Sequence, residues 1–516
     1  MNNYQTWLET PNLIRVLLVQ VQYYDTSDST TKTKYLSTHN VTVDGNAYLP
    51  IIKSNFTINE EISINYSASI SYGDLQLANN NGEYDIWLNT TLVWVNKPIN
   101  VYIGSLPQPG TTSVIGDFQQ IFSGVVSDID SKDRTTLNLK VRDKLEKLNT
   151  SVSDSLLGNY WHGSVLADNS TVYQNQYKNT LKPVVYGEVF NITPLLTDPS
   201  MLEYMVNDSA VSQIIEVRDN GVPVSWTTSG TTTIPAGSFQ LRQSPVGTVT
   251  CSVKGTTQSM DPVTGTISST YVNSAAKVIL AILANRGLTL STSELDLGSG
   301  GSFNTLGTQL VGVYLTDRQN VLQVCQDIAK SCGLILTTTR LGVVKLVDMS
   351  IPTSASVSIT EKDILLNTLT LSQKLDVTAG FKLGYAKNYT VQAVTTVAAA
   401  VRQEDKDSFA TEWLEATAYD NTVKSNYSVT KEPDLESTYL IDLTEATAVA
   451  QKKLDLFKVQ RKIFNMTCTA KHLSVQVGDA VQLTSARFGL NSGVYGRVIS
   501  TNPDWLAGKI QIGVLV

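Results

Sequence analysis

Short runs that alternate apolar and polar residues, each closed off by a turn signal, constrain this chain most. Side chains two positions apart share one face of a strand, so Ile62-Ser-Ile-Asn-Tyr66 and Ile70-Ser-Tyr72 read as strands with one buried face. Leu13-Ile-Arg-Val-Leu-Leu-Val-Gln-Val21 reads as a buried strand, and Val41-Thr-Val43 runs through an Asp44-Gly45 hairpin signal into Ala47-Tyr-Leu-Pro50. Ile99-Asn-Val-Tyr-Ile103 and Leu137-Asn-Leu-Lys-Val141 continue the series. Strands this short and this closely spaced predict a barrel or sandwich from about Asn12 to Thr150.

The chain then changes character. From Ser151 to Thr180 it is polar and weakly patterned, which predicts a connecting loop. The run Leu181-Lys-Pro-Val-Val-Tyr-Gly-Glu-Val-Phe-Asn-Ile-Thr-Pro194 opens a second, smaller β-rich module reaching about Gly255, with a turn at Asp219-Asn-Gly221 and a strand at Phe239-Gln-Leu241. Gly255 to Val263 reads as a hairpin tip or linker.

Helical period follows. Ser274 is placed to cap a helix with Val278, Ile279, Ile282 and Leu283 on one face, stopped by Gly287. The box Thr316-Asp-Arg-Gln319 is placed to start a second, carrying Val321, Val324, Cys325, Ile328 and Cys332 and ending at Gly333. Leu334-Ile-Leu336 and Val343-Val-Lys-Leu346, joined by an Arg340-Leu-Gly342 turn, complete an α+β unit.

From about Ser356 the pattern is β again, broken by a polar stretch, Arg402 to Thr438, that holds Glu404-Asp-Lys-Asp407. A helix opens at Asp442-x-x-Glu445. Phe464, Met466 and Cys468 then alternate on a strand, Val481, Leu483, Val494 and Val498 fill the next ones, and Ile510-Gln-Ile-Gly-Val514 closes the chain. Gly478-Asp479 and Gly493 fall at the corners of this last small barrel.

The expected fold is therefore mainly β with α+β modules, multidomain, with barrel-like domains at both ends and a small two-helix module between. The expected boundaries are 1–150 for a first β barrel-like domain, 151–265 for a loop and small β-rich module, 266–350 for the α+β module, and 351–516 for a last barrel-like domain with a polar insertion at about 386–440. A chain of 516 residues is too long for a single core.

Composition narrows the function. Only 16% of residues are charged, and Ser, Thr, Asn and 22 Tyr take their place, which suits strand faces and permanent contacts. A formal net charge of −7 argues against stable nucleic-acid binding, which needs clustered Lys and Arg, yet is compatible with a channel that DNA slides through. Four cysteines, Cys251, Cys325, Cys332 and Cys468, make no disulfide framework and read as core thiols. The first residues lack the basic and apolar regions of a signal peptide, and no apolar run reaches membrane-spanning length, so no stable membrane insertion is expected. Asn55-Phe-Thr and Asn388-Tyr-Thr are accordingly not read as glycan acceptors.

The search for chemistry finds no catalytic set. Asp128-Ile-Asp130-Ser-Lys-Asp133 begins like a calcium loop but lacks the sixth-position Gly and the closing Glu, and so reads as a solvated hairpin turn. Gly298-Ser-Gly-Gly301 is followed by no Lys-Ser/Thr and by no evident helix, so it reads as a flexible loop. His39, His162 and His472 lie in different modules, which suits neither a zinc site nor a Ser-His-Asp triad. Glu60-Glu61 and Glu412-Trp-Leu-Glu415 are the pairs to weigh as glycosidase acids, and they read as solvated carboxylates. Trp87, Trp94, Trp161 and Trp226 read as core or interface rather than sugar platforms. No catalytic residue, cofactor or metal ligand is assigned.

Several ordered runs resemble the hub proteins at the distal end of tailed-bacteriophage tails. They are Leu75-Gln-Leu-Ala-Asn-Asn-Asn-Gly-Glu-Tyr-Asp85, Pro98-Ile-Asn-Val-Tyr-Ile-Gly104, Phe122-Ser-Gly-Val125, Lys182-Pro-Val-Val-Tyr-Gly187, Leu202-x-Tyr204 and Arg218-Asp-Asn-Gly-Val222. Val313-Tyr-Leu315, Leu334-Ile-Leu336 and Leu473-Ser-Val-Gln-Val-Gly-Asp-Ala-Val481 extend the likeness nearly end to end. The resemblance implies a homotrimer with two barrel-like domains per chain, presenting six similar surfaces to a hexameric tail tube. It further implies a non-enzymatic virion protein of the tail tip or baseplate, made in the bacterial host cytoplasm. Its implied partners are the tail tube or distal tail protein, the tape-measure protein, and a central fibre, spike or other baseplate protein, with DNA only in transit through the lumen. The alternative is a receptor-binding or polysaccharide-processing phage tail protein, which favours β-helix repeats, and none of 20–50 residues is found.

Overall fold

In this computed structural model the described residues are 4–10, 13–69, 71–108, 113–157, 179–228, 234–286 and 290–516. Asn12, Ile70, Trp161, His162, Gly287 and most of the 151–180 stretch lie outside them. Among the described residues the fold is mainly β with α+β modules, and its largest element is a 15-stranded sheet built from both ends of the chain.

The amino-terminal strands form the first half of that sheet. Arg15–Asp25 lies between Thr30–Ser37 and Pro98–Ser105; Gln119–Asp133, Thr136–Arg142, Tyr72–Ala78 and Thr57–Ser63 follow in order. The expected Asp44-Gly45 hairpin is present, pairing Val41–Val43 with Asn46–Tyr48. Both turn residues have positive φ, +50° at Asp44 and +76° at Gly45, as this two-residue turn requires. The strand expected at Ile62–Tyr66 is displaced. The observed strand is Thr57–Ser63, and Tyr66, at φ +61°, belongs to the turn that returns the chain to Ser67–Ala68.

The second half of the sheet is carboxy-terminal. Val494–Asp504, Lys509–Leu515, Lys462–Thr469 and Thr370–Lys374 run on from Thr57–Ser63, with Ala480–Leu483 and Val357–Ile359 alongside. The join is antiparallel, Glu60 opposite Thr501 and Glu61 opposite Ser500. One apolar core follows from one sheet: Leu17, Val19 and Phe122 from the first half share it with Phe464, Met466, Cys468 and Ile510 from the second. The two barrel-like ends of the chain are thus neighbours, and their strands continue into one another.

The middle β module has a smaller core around Val189, Phe239, Cys251 and Val253. Its key strand, Val184–Ile192, serves two partners. Val184–Gly187 pairs with Gly312–Leu315, whereas Glu188–Ile192 pairs with Val249–Thr256. Gly187 makes the change of partner possible: its φ is +68°, and a Cβ there would lie 1.9 Å from the Val311 carbonyl oxygen. The Asp219-Asn-Gly221 turn is present, joining Val211–Asp219 to Val222–Pro223. Ser259–Met260 and Ile267–Ser268 pair as a hairpin just after the Gly255 region.

The α+β core packs helices Ala275–Asn285 and Val321–Ser331 with the hairpin Leu334–Thr338/Val344–Asp348. A third helix, Leu443–Phe457, joins them, and Asp442 caps it as expected by accepting from the Glu445 amide at 2.9 Å. Ser274 stands at the first helix's N-cap position, but its side chain makes no capping bond. The second helix starts later than the Thr316 box predicts. Asn320 is its N-cap, because Leu315 is still paired in a sheet and residues 319–321 bond across to Thr150–Val152. Gly298-Ser-Gly-Gly301 is a turn segment, but it leads directly into a short helix, Ser302–Thr305, where no helix was expected to open. The polar stretch also has regular structure: helices Gln403–Ala410 and Asn421–Asn426, with strands Leu414–Tyr419 and Leu435–Ser437 flanking Gly380–Tyr385.

Candidate functional site

The seam between the two halves of the large sheet gathers a tightly organised set of buried polar groups. Thr57–Ser63 alternates, and Ile58, Glu60 and Ile62 share its buried face. A carboxylate on that face needs a partner, since an unpaired buried charge is strongly disfavoured. Arg340 supplies it from the turn of the α+β hairpin. Its Nε donates to Glu60 Oε2 at 2.6 Å, with both side chains under 5% exposed.

The rest of the guanidinium is also satisfied. Nη1 donates to the Leu473 carbonyl at 2.7 Å, and Nη2 to the Val475 carbonyl at 2.7 Å and Thr501 Oγ1 at 2.9 Å. Thr501 in turn donates to Glu60 Oε2 at 2.5 Å, and the Trp505 ring lies against the cation at 5.6 Å. The Arg340 backbone accepts from the Ser123 amide at 2.8 Å and donates to Gln476 Oε1 at 3.0 Å. One residue of the α+β module therefore holds both halves of the sheet. This planar five-donor fork is the geometry that only Arg offers.

Neighbouring groups extend the network. Asp143 is fully buried and accepts from the Ser71 amide at 2.6 Å and the Leu145 amide at 2.9 Å. Burial pushes its carboxyl up to about 6, against the pull of those amides, and Glu60 adds to the rise. Arg15 crosses the seam as well, donating to the Trp505 and Leu8 carbonyls at 3.0 Å each. Asn55 donates to Asp504 at 2.7 Å, and Asn502 to Asn59 at 2.6 Å. Above the join lies a groove of about 350 Å³ with Asn59, Glu61, Tyr72, Asn465 and Gln511 among its lining residues.

The other residues weighed from sequence are dispersed. Glu61 is exposed beside the buried Glu60, so the two do not act as a matched acid pair. Glu412 and Glu415 are exposed and lie near Lys387 at 3.9 Å and Lys382 at 3.2 Å. Asp128 and Asp130 stand on a strand facing Lys140, and the turn itself falls after Asp133, whose carboxylate accepts from Thr135. His39 is half-buried beside Thr38. His472 is buried 3.6 Å from Asp363; burial lowers its pKa. For Asp363 burial acts upward, but hydrogen bonds from Thr360 and Lys471 outweigh it and hold the carboxyl down at about 2.

All four cysteines are buried and unbridged, as core thiols are. Trp87 and Trp94 are core, packed with Tyr84 and Tyr23, and Trp226 is half-buried against Phe239. Asn388 is buried and bonded to Asn191. Among the described residues no group of three or more His, Cys, Asp or Glu is placed to hold a metal ion, and no helix is long and apolar enough to cross a membrane. Sequence reasoning missed Arg340 by reading it as an ordinary turn residue. The signal that points to it is Glu60, in phase with Ile58 and Ile62.

No family model matches the chain, and no curated protein matches it. The solved structures it is similar to include tail proteins, two of them from prophages, and a component of a type VI secretion system. One is the 43 kDa tail protein of prophage MuSo2 from Shewanella oneidensis, 10% identical, covering 97% of this chain and 98% of that one, with a TM-score of 0.42. Another is the prophage tail protein gp18 from Listeria monocytogenes, 8% identical, covering 97% and 94%, with a TM-score of 0.41. A tail protein from Neisseria meningitidis is 10% identical over 92% and 95%, with a TM-score of 0.37.

Proposed function

We propose that this chain is a structural virion protein, the hub of a bacteriophage tail tip or baseplate. In this reading it joins the tail tube to a central fibre or spike and forms the channel for tape measure and DNA. The observation that carries it is the placement of two β modules, from opposite ends of one chain, side by side in one sheet around one core. A closed trimer of such chains offers six β modules around its axis, the number a six-fold tube needs. The buried Arg340–Glu60 tie supports a fixed angle between the two modules, which such an adaptor requires. We read the chain as four modules near the boundaries expected from sequence, except that helix Leu443–Phe457 packs with the α+β module, and as non-enzymatic; its weighed carboxylates stand in ion pairs or apart from one another.

Light scattering on the purified protein tests the assembly. The expected mass is three times that of the 56.3 kDa chain. Electron microscopy of tails should then show the trimer closing the end of the tube. A monomer in solution that is also missing from the tail tip would sink the proposal. Glycan cleavage lost on Glu412→Gln or Glu415→Gln would favour a polysaccharide-processing tail protein instead.

A further inference from the structure

The groove over the seam has a lining whose chemistry selects its ligand. It includes Asn59, Glu61, Tyr72, Asn465, Ser500 and Gln511, with Met466 and Ile512 contributing the apolar part. Among the described residues no Lys, Arg or His lines it, and Arg340 behind the floor is already engaged by Glu60. A phosphate, nucleic acid or other anion would therefore find no cation. The floor strands Thr57–Ser63, Val494–Asp504, Lys509–Leu515 and Lys462–Thr469 are each paired on both sides, so an extended peptide has no edge to join. The polar lining outweighs the apolar, which disfavours a lipid or purely apolar ligand.

What the groove does offer is a set of amides, hydroxyls and the exposed Glu61 carboxylate beside one exposed ring, Glu60 being taken up by Arg340. Tyr72 is 62% exposed, unlike the core tryptophans Trp87 and Trp94. Gly513 keeps the floor open beneath Ser500 and Asn465: a Cβ there would lie 2.3 Å from Ser500 Oγ and 3.1 Å from Asn465 Oδ1. Amides donate and accept at once, which matches the hydroxyls of a sugar ring, and a tyrosine face accommodates the ring's C–H side. The groove's volume of about 350 Å³ lies within the range of small-ligand sites, roughly 300–1,000 Å³. From this arrangement we propose that the seam groove is a binding subsite for a neutral saccharide. The proposal stands on the groove alone and does not depend on the hub reading.

The test uses the purified protein with three neutral probes, cellotriose, maltotriose and triacetylchitotriose, and inorganic phosphate as the charged comparison. Saturation-transfer NMR should detect at least one trisaccharide, and calorimetric titration should give its affinity. Tyr72→Ala and Gln511→Ala, both at exposed positions, should each weaken that binding about tenfold or more, whereas Tyr72→Trp should retain it. Unchanged thermal unfolding of these variants ties the loss to the groove. The proposal is overturned if none of the three trisaccharides binds at low-millimolar concentration. It is overturned equally if binding survives both alanine substitutions, or if phosphate binds there in preference.

Discussion

At Arg340 the physics of burial gives very different costs to removing one charge and to removing both. Arg340→Ala leaves the Glu60 carboxylate buried without its partner and should cost about 3–5 kcal/mol in urea unfolding. The double variant Glu60→Leu/Arg340→Met removes both charges and should recover much of that loss. A double variant less stable than Arg340→Ala alone would show that the other donors of Arg340, to Leu473 and Val475, matter more than the ion pair.

Asp143 makes a second prediction at this scale. Its folded pKa of about 6 lies above the ordinary 3.8, so the folded state binds its proton more tightly than the unfolded chain. The resulting stabilisation is fully present below about pH 4 and is lost as pH rises through about 6, a span of roughly 3 kcal/mol. Asp363, held down at about 2, acts in the opposite sense: its contribution is present above about pH 4 and falls away in stronger acid. The measurement is therefore the difference between the parent and Asp143→Asn across pH 4–7. That difference should slope with pH; a flat difference rejects the assignment.

Among the elements, what the sequence made legible was whatever local pattern decides. The alternation Phe464, Met466, Cys468 and the Asp442 cap are settled within a few residues, and both are found where expected. The start of the helix at Val321 is set elsewhere. Thr316-Asp-Arg-Gln319 has the right residues for a cap, but sheet pairing of Leu315 and the cross-link to Thr150–Val152 hold the chain extended until Asn320. Local propensity loses to tertiary pairing. Asn320→Ala should therefore cost about 1 kcal/mol in thermal unfolding, and Thr316→Ala close to nothing. The reverse order would place the cap where the sequence box suggests. The seam was illegible for a related reason: Glu60 and Arg340 are 280 residues apart, and periodicity says that Glu60 needs a partner without saying which residue supplies it.

For the whole molecule, the shared core makes the two ends of the chain one folding unit. Leu17 and Ile510 are both fully buried in it although they come from opposite termini. A hub built of independent barrels would melt in separate steps, each sensitive only to its own substitutions. A common core and a continuous hydrogen-bonded sheet instead couple the halves, so neither can unfold while leaving the other's apolar face covered. Leu17→Ala and Ile510→Ala should thus lower the same thermal transition, each by a core-cavity cost of about 2–5 kcal/mol. Hydrogen exchange should show amides of Arg15–Asp25 and Lys509–Leu515 losing protection together in both variants. Exchange that quickens in only the mutated half would make the ends separate bodies and remove the fixed geometry on which the proposed six-surface adaptor depends.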